Sequence, residues 1–386
     1  MLSKMSSYAQ ESFSGIAVIK SYNLQTQASS DFNSLATESY DKNMDLVKVQ
    51  AWFFPLMILL IGCSNLIVIL VGGNQYINGT IEIGVLAEFI IYVNMLTWPV
   101  AVVGWITNIV QQAEASQKRI NAFLKEQPEI ESGKDVTQKV TGNIEFKNVS
   151  LSYPETGIKA LDNVNLSIPS GSTLGIIGNI GSGKSTLLDA ILRLYDPSQG
   201  SIEIDGHDLK EYTLSELRDA IGYVPQNAFL FSESIEDNIR FGNPNASDEA
   251  IQAIAKKAVV HNNIVKFKEG YKTLLGERGV TLSGGQIQRV SIARALIKDP
   301  QILLLDDCLS AVDTDTEEEI LKHLKSITKD KTTLIVSHRI SSLKHADQIV
   351  VFENGKIVQQ GQHTDLIEVE GYYKELFEIQ QANSSK

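Results

Sequence analysis

The residues with the clearest chemical purpose are the nine of Gly178 to Thr186, GNIGSGKST. They fit G-x-x-x-x-G-K-[ST], with a strand-like STLGIIG before and a helix-like STLLDAILRLY after, the context the pattern requires. Gly178, Gly181 and Gly183, with Asn179 and Ser182, let the backbone curl so that its N–H groups converge on phosphate oxygens. The helix opening at Lys184, Ser185 and Thr186 adds its positive end. Lys184 would reach the β- and γ-phosphates and Ser185 would ligate Mg²⁺. Further on, QILLLDD (301–307) is an aliphatic strand ending in two acids; Asp306 is placed to hold Mg²⁺ or its water. Between them lies LSGGQ (282–286), where Ser283, Gly284, Gly285 and Gln286 open a helix and form a second anion-suited N-terminus. Alone, SGG reads as a capping turn and a Gly-rich loop as a flexible one; the three motifs in this order are specific.

These motifs need an α/β scaffold, and from Asn143 onward short β-rich runs alternate with helical ones as such a scaffold does. The chain has 386 residues, 43% of them hydrophobic, with the apolar residues unevenly spread. Residues 1–50 are mostly polar with apolar residues at helical spacing (Phe13, Ile16, Ile19), and Gly15 allows a break. Two long apolar runs follow, predicting membrane spans at about 52–73 and 84–110. No Lys or Arg occurs between Lys48 and Lys118, so the basic residues flank the pair and avoid the loop at Asn78; both ends are expected in the cytoplasm. Glu88, near the outer end of its run, is expected to reach headgroups or water. The expected divisions are a membrane part at 1–125, a linker at 126–142, an ATP-binding domain at 143–378 and a tail at 379–386.

A net charge of −12 argues against a nucleic-acid partner, since phosphate backbones require clustered cations. The two cysteines, Cys63 and Cys308, suggest no disulfide framework. DTDTEEE (313–319) reads as a solvated helix start, NGT at Asn78 as a turn, Cys308 as a packing residue, and FENGK (352–356) as a hairpin with an Asn-Gly turn and no further role.

The combination resembles the ABC transporter superfamily over nearly the whole chain, and most of all the exporter type, in which membrane and ATPase domains share one polypeptide. That resemblance implies a multidomain architecture: an α-helical membrane segment of two spans with long cytoplasmic extensions, then an α/β P-loop ATPase domain. It also implies ATP and Mg²⁺ as cofactors and a multi-pass place in the plasma membrane, with the ATPase domain in the cytoplasm. Tyr153 in VSLSYPE resembles the aromatic that stacks on adenine. Gln226 in YVPQNAFLF resembles the glutamine that senses Mg²⁺ and the membrane domain, and GERG (276–279) the loop that contacts coupling helices. SAVD (310–313) resembles the D-loop, and His338 in TLIVSHR the switch histidine on the γ-phosphate. In this family two ATPase domains pair head to tail, each ATP lying between one phosphate loop and the other domain's LSGGQ. The implied partner is a second half-transporter, in a heterodimer or a homodimer, alongside lipid and a transported substrate.

Two departures from the family pattern carry expectations. Where the family usually has a Glu that serves as base for the attacking water, this chain has Asp307. One methylene fewer draws the carboxylate back by roughly 1.5 Å, and a misplacement of about 1 Å can cost on the order of 100-fold. With LSGGQ intact, the pattern resembles the degenerate-site subunit of heterodimeric bacterial exporters. The second departure is in the membrane part: two spans stand where six are usual, resembling the fifth and sixth, so either another polypeptide supplies the other four or the chain is not a complete transporter. The alternative reading is a membrane-anchored ATP-binding regulator that transports nothing.

Overall fold

The computed structural model describes residues 2–133, 139–276, 282–310 and 312–384. Its residues fall into two compact units, 1–127 and 128–386, and each is described by itself.

The first unit is helical: α1 (Leu2–Ser14), α2 (Ile16–Ser21), α3 (Gln25–Ile77) and α4 (Ile83–Leu124). The break between α1 and α2 falls at Gly15. Tyr8 anchors α1 on α3, its hydroxyl donating to the Ala28 carbonyl at 3.3 Å and its ring lying 6.4 Å from that of Phe32. At 1.5 Å per residue, the 53 residues of α3 extend about 80 Å. Pro55 sits within α3 and Pro99 within α4 without ending either helix. Both helices hold a stretch long and apolar enough to cross a membrane, and no residue of either stretch is buried within the unit. Phe54, Ile58 and Leu70 are each more than half exposed. So much apolar surface calls for lipid or further membrane helices as its cover, while the helical backbone satisfies its own polar groups. α3 and α4 approach closely near the connecting turn, where a Cβ on Gly72 would lie 2.6 Å from Leu86.

The second unit is α/β. A four-stranded sheet in the order β2-β1-β4-β5 consists of β1 (Ile144–Ser152), β2 (Lys159–Ile168), β4 (Gln199–Ile204) and β5 (His207–Asp208). A six-stranded sheet in the order β10-β9-β3-β8-β7-β6 holds β3 (Thr173–Gly178), β6 (Ile221–Val224), β7 (Ile302–Asp306), β8 (Thr332–Val336), β9 (Gln348–Glu353) and β10 (Lys356–Gly361). It is parallel except at β10, which pairs antiparallel with β9. The helices are α5 (Lys184–Ile191), α6 (Leu214–Asp219), α7 (Ile235–Arg240), α8 (Asp248–Lys257), α9 (His261–Ile264), α10 (Gly284–Leu296), α11 (Thr314–Ile327), α12 (Ile340–Leu343), α13 (His363–Leu366) and α14 (Tyr372–Ser384).

Strand β7 shows why a continuous aliphatic run forms a central strand. Ile302 and Leu304 pack with α5 and the antiparallel sheet on one face, and Leu303 and Leu305 with α10 and α11 on the other. A parallel strand covered on both faces has no solvent side, so it is apolar throughout, each buried aliphatic contributing about 1.5–3 kcal/mol.

Candidate functional site

Strand β3 lies between β9 and β8, and its carboxyl end delivers the chain into the loop 179–183 and then α5. Open parallel sheets bind ligands at this end of their strands. The loop needs its glycines for two different reasons. Gly178 and Gly183 are needed for space: a Cβ on Gly183, which has φ +102, would overlap the Ala160 carbonyl, and one on Gly178 the Phe352 carbonyl. Gly181 is needed for conformation alone. A Cβ there would meet no atom within 4 Å, but its φ of +76 lies in the left-handed region that glycine enters without strain. Lys184 is 6% exposed. Its ammonium donates to the carbonyls of Gly178 at 2.8 Å and Asn179 at 2.7 Å, so it is held across the loop. Burial lowers its pKa, and the charges of Asp306 and Asp307 oppose that shift. The Asn354–Gly355 turn joins β9 to β10, and both residues have the positive φ that a two-residue hairpin of this kind needs. It has a further role that the sequence does not reveal: Gly355 N–H donates to the Ser182 carbonyl at 2.9 Å and supports the phosphate loop.

Asp306 ends β7 beside this loop, 4% exposed. Its pKa is raised chiefly by burial and also by Asp307, while the nearby Ser185 hydroxyl and the charges of Lys184 and His338 pull it down. Ser185, Lys184, Asp306, Asp307 and His338 are thus brought into one electrostatic cluster. No group of three or more His, Cys, Asp or Glu side chains able to hold an ion occurs among the described residues. Two protein oxygens, Ser185 Oγ and the Asp306 carboxylate, suit a cation that takes its remaining ligands from phosphate and water, as Mg²⁺ does.

Asp307 is 8% exposed and has φ +42. Its N–H still donates to the Val336 carbonyl of β8 at 2.9 Å, and its own carbonyl accepts from Ser310 Oγ at 2.9 Å. The chain therefore turns out of the strand at this residue, in a conformation that Asp tolerates better than most residues.

Tyr153 binds Thr186 through a 2.8 Å hydroxyl–hydroxyl bond and meets Tyr195 edge-on at 5.0 Å. The Thr186 hydroxyl is thereby engaged. Gln226 is exposed just after β6. Near it Phe229, Phe231 and Phe241 form an exposed aromatic patch, with the Arg294 guanidinium 5.7 Å and 5.9 Å from the last two rings. Burial lowers the pKa of Arg294 to about 10. Ser283 and Gln286 close a reciprocal capping box on α10, with Ser283 N–H donating to Gln286 Oε1 at 2.9 Å and Gln286 N–H to Ser283 Oγ at 3.3 Å. Ser283 and Gly284 are exposed, and among the described residues none of Ser283 to Gln286 bonds to the phosphate loop or to Asp306. Of the other motifs, Glu277 to Gly279 and Ala311 lie outside the described residues.

Sequence reasoning missed Asp189. It lies one helical turn after Ser185 on α5, a spacing that could have flagged it. Burial, and then the charge of Asp306, raise its pKa from 3.8 to about 6. Ionising it costs more in the folded than in the unfolded chain. Its contribution to stability is therefore complete below the ordinary carboxylate range and is lost as pH rises through about 6. Asp189→Asn should melt higher than the wild type well above that pH without nucleotide, and the gap should close in acid. Thermal unfolding across pH checks this; a gap that persists undiminished in acid rules out the electrostatic cause.

Two family models match the chain: the ABC transporter transmembrane region over residues 2–100 and the ABC transporter domain over residues 161–310. An uncharacterised ABC transporter ATP-binding protein, YknU of Bacillus subtilis (strain 168), is 41% identical over 98% of this chain and 65% of the relative. The multidrug resistance-like ATP-binding protein MdlA of Escherichia coli (strain K12) is 38% identical over 99% of this chain and 65% of the relative. Among solved structures, a bacterial Atm1-family ABC exporter with ATP bound matches with a TM-score of 0.89 at 29% identity, over 98% of this chain and 67% of that one. The chain spans about 65% of the length of these curated relatives. With a transmembrane region and an ATP-binding domain of this type joined in one polypeptide, the chain belongs to the ABC transporter family.

Proposed function

We propose that the chain is an ATP-binding and permease subunit of an exporter-type ABC transporter, working paired with a second half-transporter. ATP binding closes the paired ATPase domains, the motion passes to the membrane helices, and hydrolysis resets the pair. Gly178 to Thr186 hold the phosphates, Gly181 at the turn of the loop among them, and Ser185, Gln226 and Asp306 hold Mg²⁺. Tyr153 meets adenine, and His338 contacts the γ-phosphate. Asp307 polarises water from a retracted position, so this chain's own ATP is turned over slowly. Both ends of the membrane part face the cytoplasm.

The observation that carries the pairing is the separation of two anion-suited ends. The phosphate loop is clustered with Asp306 and His338, while the α10 N-terminus has a self-contained cap, faces solvent and bonds to none of them. Such an end is available to a nucleotide held by another domain. The geometry fits ATP and Mg²⁺ through the convergent loop, the held ammonium and the Ser185–Asp306 pair.

The test is Ser283→Ala in the reconstituted pair. Steady-state ATPase activity should fall by about 10-fold or more, because the partner's site loses a γ-phosphate contact of roughly 1.5–3 kcal/mol. The fold should lose about 1 kcal/mol from the missing cap. Undiminished ATPase activity would show that LSGGQ does not complete a partner's site. A regulator that transports nothing is the second reading, favoured by Asp307, and ATP-dependent substrate movement in vesicles containing the pair would exclude it.

A further inference from the structure

The segment that carries His338 leaves β8 through Ser337 and enters α12, a helix of four residues whose N-cap, Arg339, offers no side-chain acceptor. Local sequence therefore leaves the opening N–H of α12 uncapped. The missing partner comes from α14. Gln380 Oε1 accepts from Ile340 N–H at 2.9 Å, and Gln380 Nε2 donates to the His338 carbonyl at 2.7 Å. One amide group thus brackets Arg339 and fixes the peptide groups on both sides of it.

Further bonds complete the hold. Arg339 N–H donates to Ser337 Oγ at 3.0 Å, and its guanidinium reaches the Ser310 carbonyl at 3.2 Å and the buried Glu317 carboxylate. Helix α14 is itself anchored. Tyr373 is fully buried, its hydroxyl 2.8 Å from His363 Nδ1, and its N–H donates to Gln359 Oε1 at 3.2 Å.

Resting on the reading of His338 as the γ-phosphate contact, we infer that Gln380 is a positioning residue for it. The C-terminal helix then belongs to the machinery of the ATP site. His338 sits on a short connection between strand and helix, and its own carbonyl is tethered there by the Gln380 amide.

The full chain, paired as proposed, is assayed by single-turnover hydrolysis of the ATP bound at this chain's own loop, with protein in excess. Gln380→Ala should lower the saturating rate constant about 10-fold, a fraction of the ~100-fold cost of a 1 Å misplacement. The protein concentration at half-saturation should stay within about twofold of the wild type. Gln380→Glu keeps an acceptor for Ile340 but sets a carboxylate oxygen against the His338 carbonyl, so its rate should fall at least as far. Capping of α12 alone would leave Gln380→Glu at the wild-type rate, and that result overturns the inference. So does an unchanged rate in Gln380→Ala, or a loss confined to half-saturation. His338→Ala is measured alongside. If it hydrolyses at the wild-type rate, the reading of His338 fails, an outcome separable from the behaviour of the Gln380 variants.

Discussion

Lys184→Ala is expected to weaken Mg·ATP binding about 100-fold and to reduce hydrolysis at this chain's loop to background. The ammonium is buried, held over the loop by the Gly178 and Asn179 carbonyls, and set between that loop and the acids ending β7. A phosphate oxygen entering the loop meets a charge already in place, and a charge-assisted hydrogen bond of this kind contributes roughly 1.5–3 kcal/mol. Two such bonds to the β- and γ-phosphates account for 100-fold or more. The substitution also removes the cation that counters Asp306 and Asp307, so the loop becomes less hospitable to a polyanion. Folding should suffer little, because a desolvated ammonium costs the folded state about as much as its local bonds return. Titration with a fluorescent ATP analogue, beside thermal unfolding, separates the two effects. Affinity within threefold of the wild type would remove Gly178 to Thr186 from the role given to it.

What the sequence made legible is what short-range patterning specifies. The strand–loop–helix around Lys184, the aliphatic strand before Asp306 and the helix start at Ser283 are local, and each is found where its pattern places it. Gly15 breaks the helix as its position suggests. The membrane part was less legible at its edges. The sequence divides polar helices before residue 50 from an apolar span after it, yet α3 runs unbroken from Gln25 to Ile77. Polarity marks where a helix changes surroundings, whereas its hydrogen-bond ladder ends only at a breaker. Pro55 did not act as one, since the loss of a single N–H donor can be absorbed within a long helix.

The strand order β10-β9-β3-β8-β7-β6 was not legible, because the pairing of β3 with β9 joins segments separated by about 170 residues of chain. The same reason hid the partners of the chemical residues. Gln380 reaches the His338 loop from 42 positions away, and the raised pKa of Asp189 depends on burial within the folded domain and then on the charge of Asp306 in β7. Tyr153 was assigned by resemblance, but its bond to Thr186 required the antiparallel sheet to be folded against α5. The candidate site was therefore legible as a list of residue types, and its electrostatics only as a fold.

Asp307→Glu is the substitution expected to raise activity most, by about 10- to 100-fold in the single-turnover rate at this chain's loop. Asp307 follows directly on Asp306, its N–H fixed to the Val336 carbonyl and its carbonyl to Ser310, so its Cα is not free to advance toward the loop. With the backbone held, the reach of the carboxylate is set by side-chain length. One methylene amounts to roughly 1.5 Å, and on the reading proposed above the longer side chain would bring the carboxylate within general-base reach of the attacking water. The φ of +42 is where the gain meets a cost. Asp adopts the left-handed region more readily than Glu, so the variant should lose up to ~1 kcal/mol of stability. A faster enzyme that melts at a lower temperature is a combination that a packing repair does not produce. Asp307→Asn supplies the counterpart: if the retracted carboxylate still polarises water, its loss should lower the residual rate while ATP remains bound. An Asp307→Glu rate equal to that of the wild type would mean that carboxylate reach does not limit this site. Because Ser283 is assigned to a different ATP molecule, Ser283→Ala should leave the Asp307→Glu gain at this chain's own loop intact. The two effects should add as independent free energies, and strong coupling between them would place LSGGQ and Asp307 at the same nucleotide.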